Sequence, residues 1–401
     1  MSDRAEILER WADLAVNFGT NLQPGQILAV SGEPGKEEYV RAVADAAYRA
    51  GAKFVEAMYW DMHVKRARLL HADEATLDYV PPWYGERLLA LGEHRAARVG
   101  LSGPSEPGVL DGVDPARAGR DQMPFLKESA KVINDRTTNW TILPAPTPGW
   151  GKLVHPDLDD DAALDRLWEQ VVHVLRLDTP DPVAAWRARA DTLVAAAERM
   201  TERRFDAIRF EGPGTDLTVG LLPSSKWQAA RFLTIDGIEH MPNLPSEEIF
   251  TTPDPARVDG VVRSTKPLYL AGKVVTGLVV RFEGGRAVQI DADENAEFLR
   301  AYTERDEGAA RLGEVALVDG EGRIGPLDTV FFDTLLDENA ASHLALGSAY
   351  LFTVEDEAEH ARANESAIHV DFMIGGNDVD VTGVTREGED VPVLRGGSWQ
   401  V

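Results

Sequence analysis

A change of pattern partway along the chain limits its fold more than any other feature. Up to about residue 190, helical runs alternate with short strand-like runs; beyond Arg204 strands dominate. Ala5–Phe18 sets Ile7, Leu8, Trp11, Leu14 and Ala15 at helical spacing, with Asp3 placed to cap the helix. Pro24-Gly25 then punctuates, and Gln26–Val30 reads as a short buried strand. Glu37–Ala50 is an alanine-rich helix stopped at Gly51, and Lys53–Trp60 is the next strand. Strand, helix, strand with short connections predicts a βαβ unit and a parallel sheet. Glu86–Leu91 and Ala97–Leu101 continue the alternation.

Two Pro/Gly-rich loops, Pro104–Pro115 and Pro144–Pro148, flank the strand-like Asn139–Leu143. Asp159–Arg176 and Pro182–Arg203 read as helices. After them come strand-like runs at Ala207–Glu211, Asp216–Leu222, Gly260–Arg263, Lys273–Glu283 and Ala287–Asp291, with Gly284-Gly285 as a hairpin signal. Helices return at Asn295–Arg305 and around Glu338–Leu346. The expected organisation is an α/β N-terminal domain with a mainly parallel sheet over residues 1–190. An α+β C-terminal domain follows over residues 191–401. A chain of 401 residues is long enough for two such cores.

Charge and composition exclude several functions. Asp plus Glu is 67 against 41 Lys plus Arg, a net charge of −26. That argues against a nucleic-acid binder, which needs a basic stripe, and against docking on anionic membrane lipid. There is no cysteine, so disulfides, thiolate catalysis, thiolate-bound zinc and iron–sulfur clusters are excluded. Any metal must be held by oxygen and nitrogen. The charged start MSDRAEILERW has no apolar signal core, and runs such as Val171–Leu175 or Gly277–Val280 are too short to span a bilayer. A cytoplasmic protein is expected. Ser31-Gly32-Glu33-Pro34-Gly35 lacks the third glycine of a dinucleotide loop, and no Walker A sequence occurs, so a nucleotide site is not expected.

Nine histidines can be read one by one. His63, His71 and His94 have no carboxylate pattern around them; His155 and His173 are uninformative, and His240 is ambiguous. His360, in the acidic run Glu355–Glu365, reads as part of a solvated face. His369 differs. In the strand-like AIHVDFMI it points to the same face as Asp371, where the two can bind ions or simply pair with each other. His343 falls in DENAASHLALG, which reads as a short helix capped by Asp337 and ended by Gly347. Glu248 lies in NLPSEEIFTTP, read as a rigid loop bracketed by prolines. Glu314 follows Gly313 into an apolar strand-like run, where a buried carboxylate requires a partner. Two histidines and three carboxylates from one half of the chain are the ligand inventory of a two-metal hydrolytic centre using Zn, Co, Mn or Mg. Surface acids and structural ion pairs are the alternative for each residue alone.

Four blocks, NLPSEEIFTTP at 243–253, LGEVAL at 312–317, LDENAASHLALGSAY at 336–350 and HVDFMIG at 369–375, resemble in sequence and in order peptidase family M29, the thermophilic-type aminopeptidases known as aminopeptidases T and S. More diffuse similarity runs along essentially the whole chain. The resemblance implies metal ligands at Glu248, Glu314, His343, His369 and Asp371. Glu248 is preferred to Glu247 because the family's acid directly precedes the Val/Ile position, here Ile249. It places a tyrosine near the metals at Tyr350, for which a packed aromatic is the alternative. It implies two divalent ions bridged by Glu314, a general base at Glu314 or Glu248, and Tyr350 donating to the oxyanion. It further implies peptide substrates with a free N-terminus, a homodimer, and a metal centre in the C-terminal domain. Two other readings compete: another dinuclear-metal amidohydrolase or esterase, and a non-enzymatic acidic binding protein.

Overall fold

A computed structural model describes residues 4–121, 123, 127–270 and 272–401. The helix cap expected at Asp3 therefore lies outside the described residues. The chain divides into two compact units: residues 1–112, 122–190 and 230–246, and residues 113–121, 191–229 and 247–401.

The first unit contains α1 (Arg4–Asp13), β1 (Ile27–Gly32), α2 (Glu37–Arg49), β2 (Phe54–Tyr59), α3 (Met62–His71), α4 (Pro82–Glu93), β3 (Ala97–Ser102) and β4 (Trp140–Pro144). The strands form an all-parallel sheet in the order β2-β1-β3-β4. This is the parallel layer required by the strand–helix–strand alternation. The helix expected over Ala5–Phe18 is α-helical only to Asp13; Leu14–Gly19 is wound as a π-helix. Trp11 is fully buried, its indole donating to the Pro144 carbonyl at 3.1 Å and its ring meeting Tyr39 edge-on at 5.2 Å. A short ribbon from residues 230–246, described below as β8 and β9, also belongs to this unit.

Along the rest of the chain run β5 (Ala207–Gly212), β6 (Thr215–Leu221), β7 (Gln228–Ala229), β8 (Phe232–Leu233), β9 (Glu239–His240), β10 (Glu248–Thr251), β11 (Pro253–Arg263), β12 (Leu268–Leu270), β13 (Lys273–Val275), β14 (Val279–Glu283), β15 (Arg286–Asp291), β16 (Leu312–Val318), β17 (His343–Gly347), β18 (His369–Met373), β19 (Asp380–Val384), β20 (Asp390–Arg395) and β21 (Ser398–Trp399). The second unit is mostly antiparallel. An eight-stranded sheet has the order β15-β14-β11-β6-β5-β19-β20-β21, and a five-stranded sheet the order β18-β17-β16-β10-β7. The chain leaves the smaller sheet for the larger one at Thr252, between β10 and β11. Gly284 and Gly285 make the expected hairpin, at φ 54° and 81°, angles that side chains resist and that a two-residue antiparallel turn demands.

Three local expectations are corrected. Lys273–Glu283 is not one strand: it is interrupted at residues 276–278, and its halves pair in different sheets. His343–Gly347 is a strand, not a helix. Every residue of it is buried between β16 and β18, and a short apolar run reads alike as a buried helix or a buried strand until its pairing partners are known. The helix is confined to Thr334–Glu338, and Asp333 rather than Asp337 caps it, accepting from the Leu336 N–H. Glu248 is not on a loop either, but is the first residue of β10. Among the described residues no helix is long and apolar enough to cross a membrane.

Candidate metal centre

The five-stranded sheet gathers the candidate residues because of its register. Glu248 and Phe250 alternate onto one face of β10, and His369, Asp371 and Met373 onto one face of β18. Phe250, Ala316, His343 and Met373 stand abreast across four strands. One row on, Glu314, Ala345 and Asp371 stand abreast. His369 lies opposite Gly347. Small residues, Ala316, Ala345 and Gly347, thus alternate with the long ligand-type side chains and leave room above the sheet. A register slip of one residue would turn all of these groups to the other face. The irregularity between Leu312 and Glu314 centres on Gly313, where a β-carbon would come within 2.3 Å of the Gly347 carbonyl oxygen. Only glycine allows β17 that close.

The distances are short and the groups buried, His369 partly so. His343 Nε2 lies 2.9 Å from Glu248 Oε2 and 3.6 Å from Glu314 Oε1. His369 Nε2 lies 3.3 Å from Glu314 Oε2 and 3.4 Å from Asp371 Oδ1. Glu314 therefore faces one imidazole with each oxygen. Three overlapping groups have ligand atoms within 4.8 Å of one another: Glu248, Glu314 and His343; Glu314, His369 and Asp371; and Glu338, His343 and Asp371. The structure brings all five residues expected as ligands together. It also brings in Glu338, which the sequence reading missed. Its signal was its place in the same block, five residues before His343, at the end of the short helix.

The histidine tautomers are dictated by the backbone. His343 Nδ1 lies 3.0 Å from the Glu338 carbonyl oxygen and 3.2 Å from that of Ala341. His369 Nδ1 lies 2.8 Å from the Ser348 carbonyl oxygen. Carbonyls only accept, so each Nδ1 carries a hydrogen, and each Nε2 faces carboxylate oxygens either with a second proton or, in the neutral ring, with a lone pair. Lone pair facing lone pair is repulsive unless a proton or a cation lies between. Glu248 Oε2, for all its closeness to His343, has no hydrogen-bond partner among the described residues although it is buried. A buried carboxylate oxygen left without a donor beside an imidazole nitrogen is what a divalent cation satisfies, so the residues fit a metal.

The electrostatics agree. Burial pushes Glu248 up against the pull of His343. Burial would also raise Glu314, but hydrogen bonds from His343 and His369 hold it down at about 2. Burial works to lower both histidines, yet Glu248 and Glu314 lift His343, and Tyr350, Asp371 and Glu314 lift His369, well above the ordinary imidazole range. Burial, then Asp371 and Glu248, push Glu338 well above the carboxylate range. Such a cluster binds cations, whether protons or metals, strongly.

Tyr350 stands beside this centre. Its ring centroid is 5.2 Å from that of His369, 5.6 Å from Phe250 and 5.4 Å from Phe352. The other histidines lie elsewhere. His63 pairs with Glu106 at 2.6 Å on an exposed surface, a partnership not visible in sequence. His173 meets Asp178 at 3.0 Å, also exposed, and His155 meets Gln170 at 2.8 Å. His360 bonds the Val354 carbonyl at 3.0 Å. His240 is buried in the first unit near Trp140 and Phe232.

Comparisons with known proteins agree over nearly the full length. The model of the family described as thermophilic metalloprotease (M29) matches residues 4–399. Aminopeptidase T of Thermus aquaticus is 43% identical over 404 residues, covering 99% of each chain. Aminopeptidase 2 of Geobacillus stearothermophilus is 36% identical over 402 residues, covering 98% of this chain and 97% of that one. The solved structure of wild-type AmpT from Thermus thermophilus superposes with a TM-score of 0.88 at 41% identity, covering 100% of both chains.

Proposed function

The chain belongs to the M29 family of thermophilic metalloproteases and is a metal-dependent aminopeptidase, and on that premise we propose how its residues share the work. Glu248, Glu314 and His343 would hold one divalent ion, and Glu314, His369 and Asp371 a second, with Glu314 shared. With two divalent ions in place of protons, Glu248, Glu314, Glu338 and Asp371 would be ionised beside two neutral imidazoles, four negative charges that the two ions balance. When bound, the ions supply Lewis acidity that polarises the scissile carbonyl and eases loss of a proton from water. Glu338 is the buried acid of the cluster that neither ligand set requires, and we assign it the role of accepting that proton. Tyr350, beside His369, donates a hydrogen bond to the oxygen that becomes negative in the transition state. The acidic cluster attracts the substrate's free ammonium group, which confines cleavage to the N-terminal residue.

The observation that carries this reading is the pair of histidines with Nδ1 committed to backbone carbonyls and Nε2 aimed at carboxylates. The reading extends to Zn, Co, Mn or Mg as the ion, to a catalytic region at residues 191–401 with an α/β companion at 1–190, and to a cytoplasmic homodimer. The edge strand β2, with Phe54 57% and Tyr59 39% exposed, supports self-association.

The test is to strip the protein with chelator, restore each metal singly, and assay leucyl- and arginyl-p-nitroanilide against their N-acetylated forms. Hydrolysis restored only with metal and only for free amines is expected. Equal turnover of blocked substrates would point to a broader amidohydrolase or esterase. Failure of every metal to bind or restore activity would sink the two-ion centre.

A further inference from the structure

We propose that Thr252 and Thr353 are positioning residues for Tyr350 in peptide hydrolysis. The proposal rests on the reading of Tyr350 as a hydrogen-bond donor to the reacting oxygen.

Tyr350 begins a short 3-10 segment, Leu351–Thr353, whose backbone bonds run from the Thr353 N–H to the Tyr350 carbonyl at 3.1 Å and from the Val354 N–H to the Leu351 carbonyl at 3.0 Å. Those two bonds close the turn. Two hydroxyls nevertheless converge on the same carbonyl: Thr252 Oγ1 at 3.0 Å and Thr353 Oγ1 at 2.8 Å. The two hydroxyls also lie 2.8 Å apart, and Thr353 Oγ1 accepts from the Thr252 N–H at 3.2 Å. Both threonines are essentially inaccessible, at 1% and 0% exposure. A buried hydroxyl costs desolvation that an isosteric valine would avoid, so a pair of them over-determining one carbonyl needs a reason beyond closing the turn.

Their location supplies it. Thr252 is the residue at which the chain passes from β10 to β11. It follows Phe250 by two residues and Glu248 by four. Ser225 Oγ clamps its carbonyl at 2.6 Å, and the Lys226 N–H clamps that of Thr353 at 2.8 Å. The threonine pair thus ties the strand carrying Glu248 to the turn carrying Tyr350, two groups that must hold a fixed separation across the reacting carbonyl. The Tyr350 ring rests on Phe250 of that strand, so its χ angles are limited and a backbone shift at Tyr350 passes directly to the phenol. A donor displaced by a fraction of an ångström stabilises the transition state less while binding substrate as before.

The experiment uses the metal-loaded full chain carrying Thr252→Val, Thr353→Val or Thr353→Ser, each alone and combined with Tyr350→Phe. Each valine variant is expected to lower kcat by about tenfold, with KM within about twofold and metal content unchanged. Thr353→Ser keeps the hydroxyl and should restore kcat. In the Tyr350→Phe background the valine changes should cost nothing further. A second readout is independent of turnover. With 3-fluorotyrosine incorporated, the ¹⁹F resonance that disappears in Tyr350→Phe should shift or broaden in the valine variants and keep its place in Thr353→Ser. Full activity in both valine variants, or losses that add to that of Tyr350→Phe, would overturn the positioning role while leaving Tyr350 as the donor. Full activity in Tyr350→Phe itself would overturn the donor reading and this proposal with it. Should Thr353→Val not fold, Thr252→Val and Thr353→Ala decide by the same criteria.

Discussion

His369 Nδ1 lies 2.8 Å from the carbonyl oxygen of Ser348, and that one contact turns the ring's other nitrogen onto Glu314 and Asp371. The backbone of one segment thereby sets the tautomer of a side chain on the next strand. An imidazole so held is a lone pair waiting for a cation.

His369→Ala or Asp371→Asn should therefore lower kcat/KM by more than about a hundredfold, since changes even to outer partners of metal ligands cost roughly 10–100-fold. Circular dichroism should show both variants folded. His360→Ala, which loses a contact to the Val354 carbonyl, should stay within a few-fold of wild type. Matching losses in all three would show that the histidines have been sorted wrongly.

Glu314 and Glu338 should separate when metal content and turnover are measured side by side. Glu314 faces both imidazoles, so Glu314→Gln is expected to lose bound metal, read by elemental analysis, together with activity. Glu338→Gln should retain metal and still lose activity. Metal loss in Glu338→Gln would make it a ligand and remove it as the proton acceptor.

Ala345 sits abreast of Glu314 and Asp371 with no side chain beyond its β-carbon. Ala345→Leu should fill the space where an ion would lie. Metal binding, followed by titration calorimetry, should disappear, while overpacking costs only about 1–3 kcal/mol of stability. Wild-type metal affinity in this variant would place the ions elsewhere.

His240 supplies a pH prediction away from the metal centre. Burial pushes its pKa down from 6.5 to about 4, partly offset by its contact with the Ile238 carbonyl. The unfolded chain therefore takes up this proton first as pH falls. The stabilisation is whole above about pH 6.5, shrinks through the window from 6.5 to 4, and amounts to about 3 kcal/mol at its full extent. Thermal midpoints of wild type should drop more steeply between pH 7 and pH 4.5 than those of His240→Phe. Parallel curves would show that His240 titrates normally.

Much of the site was legible because its chemistry is local in sequence. The His369–Asp371 pair sits on one strand face at a spacing of two, and a strand's alternation is enough to place both. Glu314 could be read from an acid entering an apolar run. Glu248 and His343 were found as residues but given the wrong local structure, loop and helix instead of strand. Glu248 pairs with Val318, 70 residues on, and His343 with Ala316 and Met373, 27 and 30 residues away, and pairing rather than periodicity makes their segments strands. Glu338 was passed over because nothing along the chain tells an acid at the end of a helical turn that faces solvent from one that faces a buried cluster.

By itself the sequence determined that the first part of the chain alternates helix with strand and that any bound metal must take oxygen and nitrogen ligands. It also carried the four blocks that match the M29 aminopeptidases. Those properties belong to residue types and their spacing. Only the tertiary structure decided that six side chains from β10, β16, β17, β18 and the helix end at Glu338 share one buried space. The register of four antiparallel strands sets that convergence, and register is a relation between segments far apart in the chain.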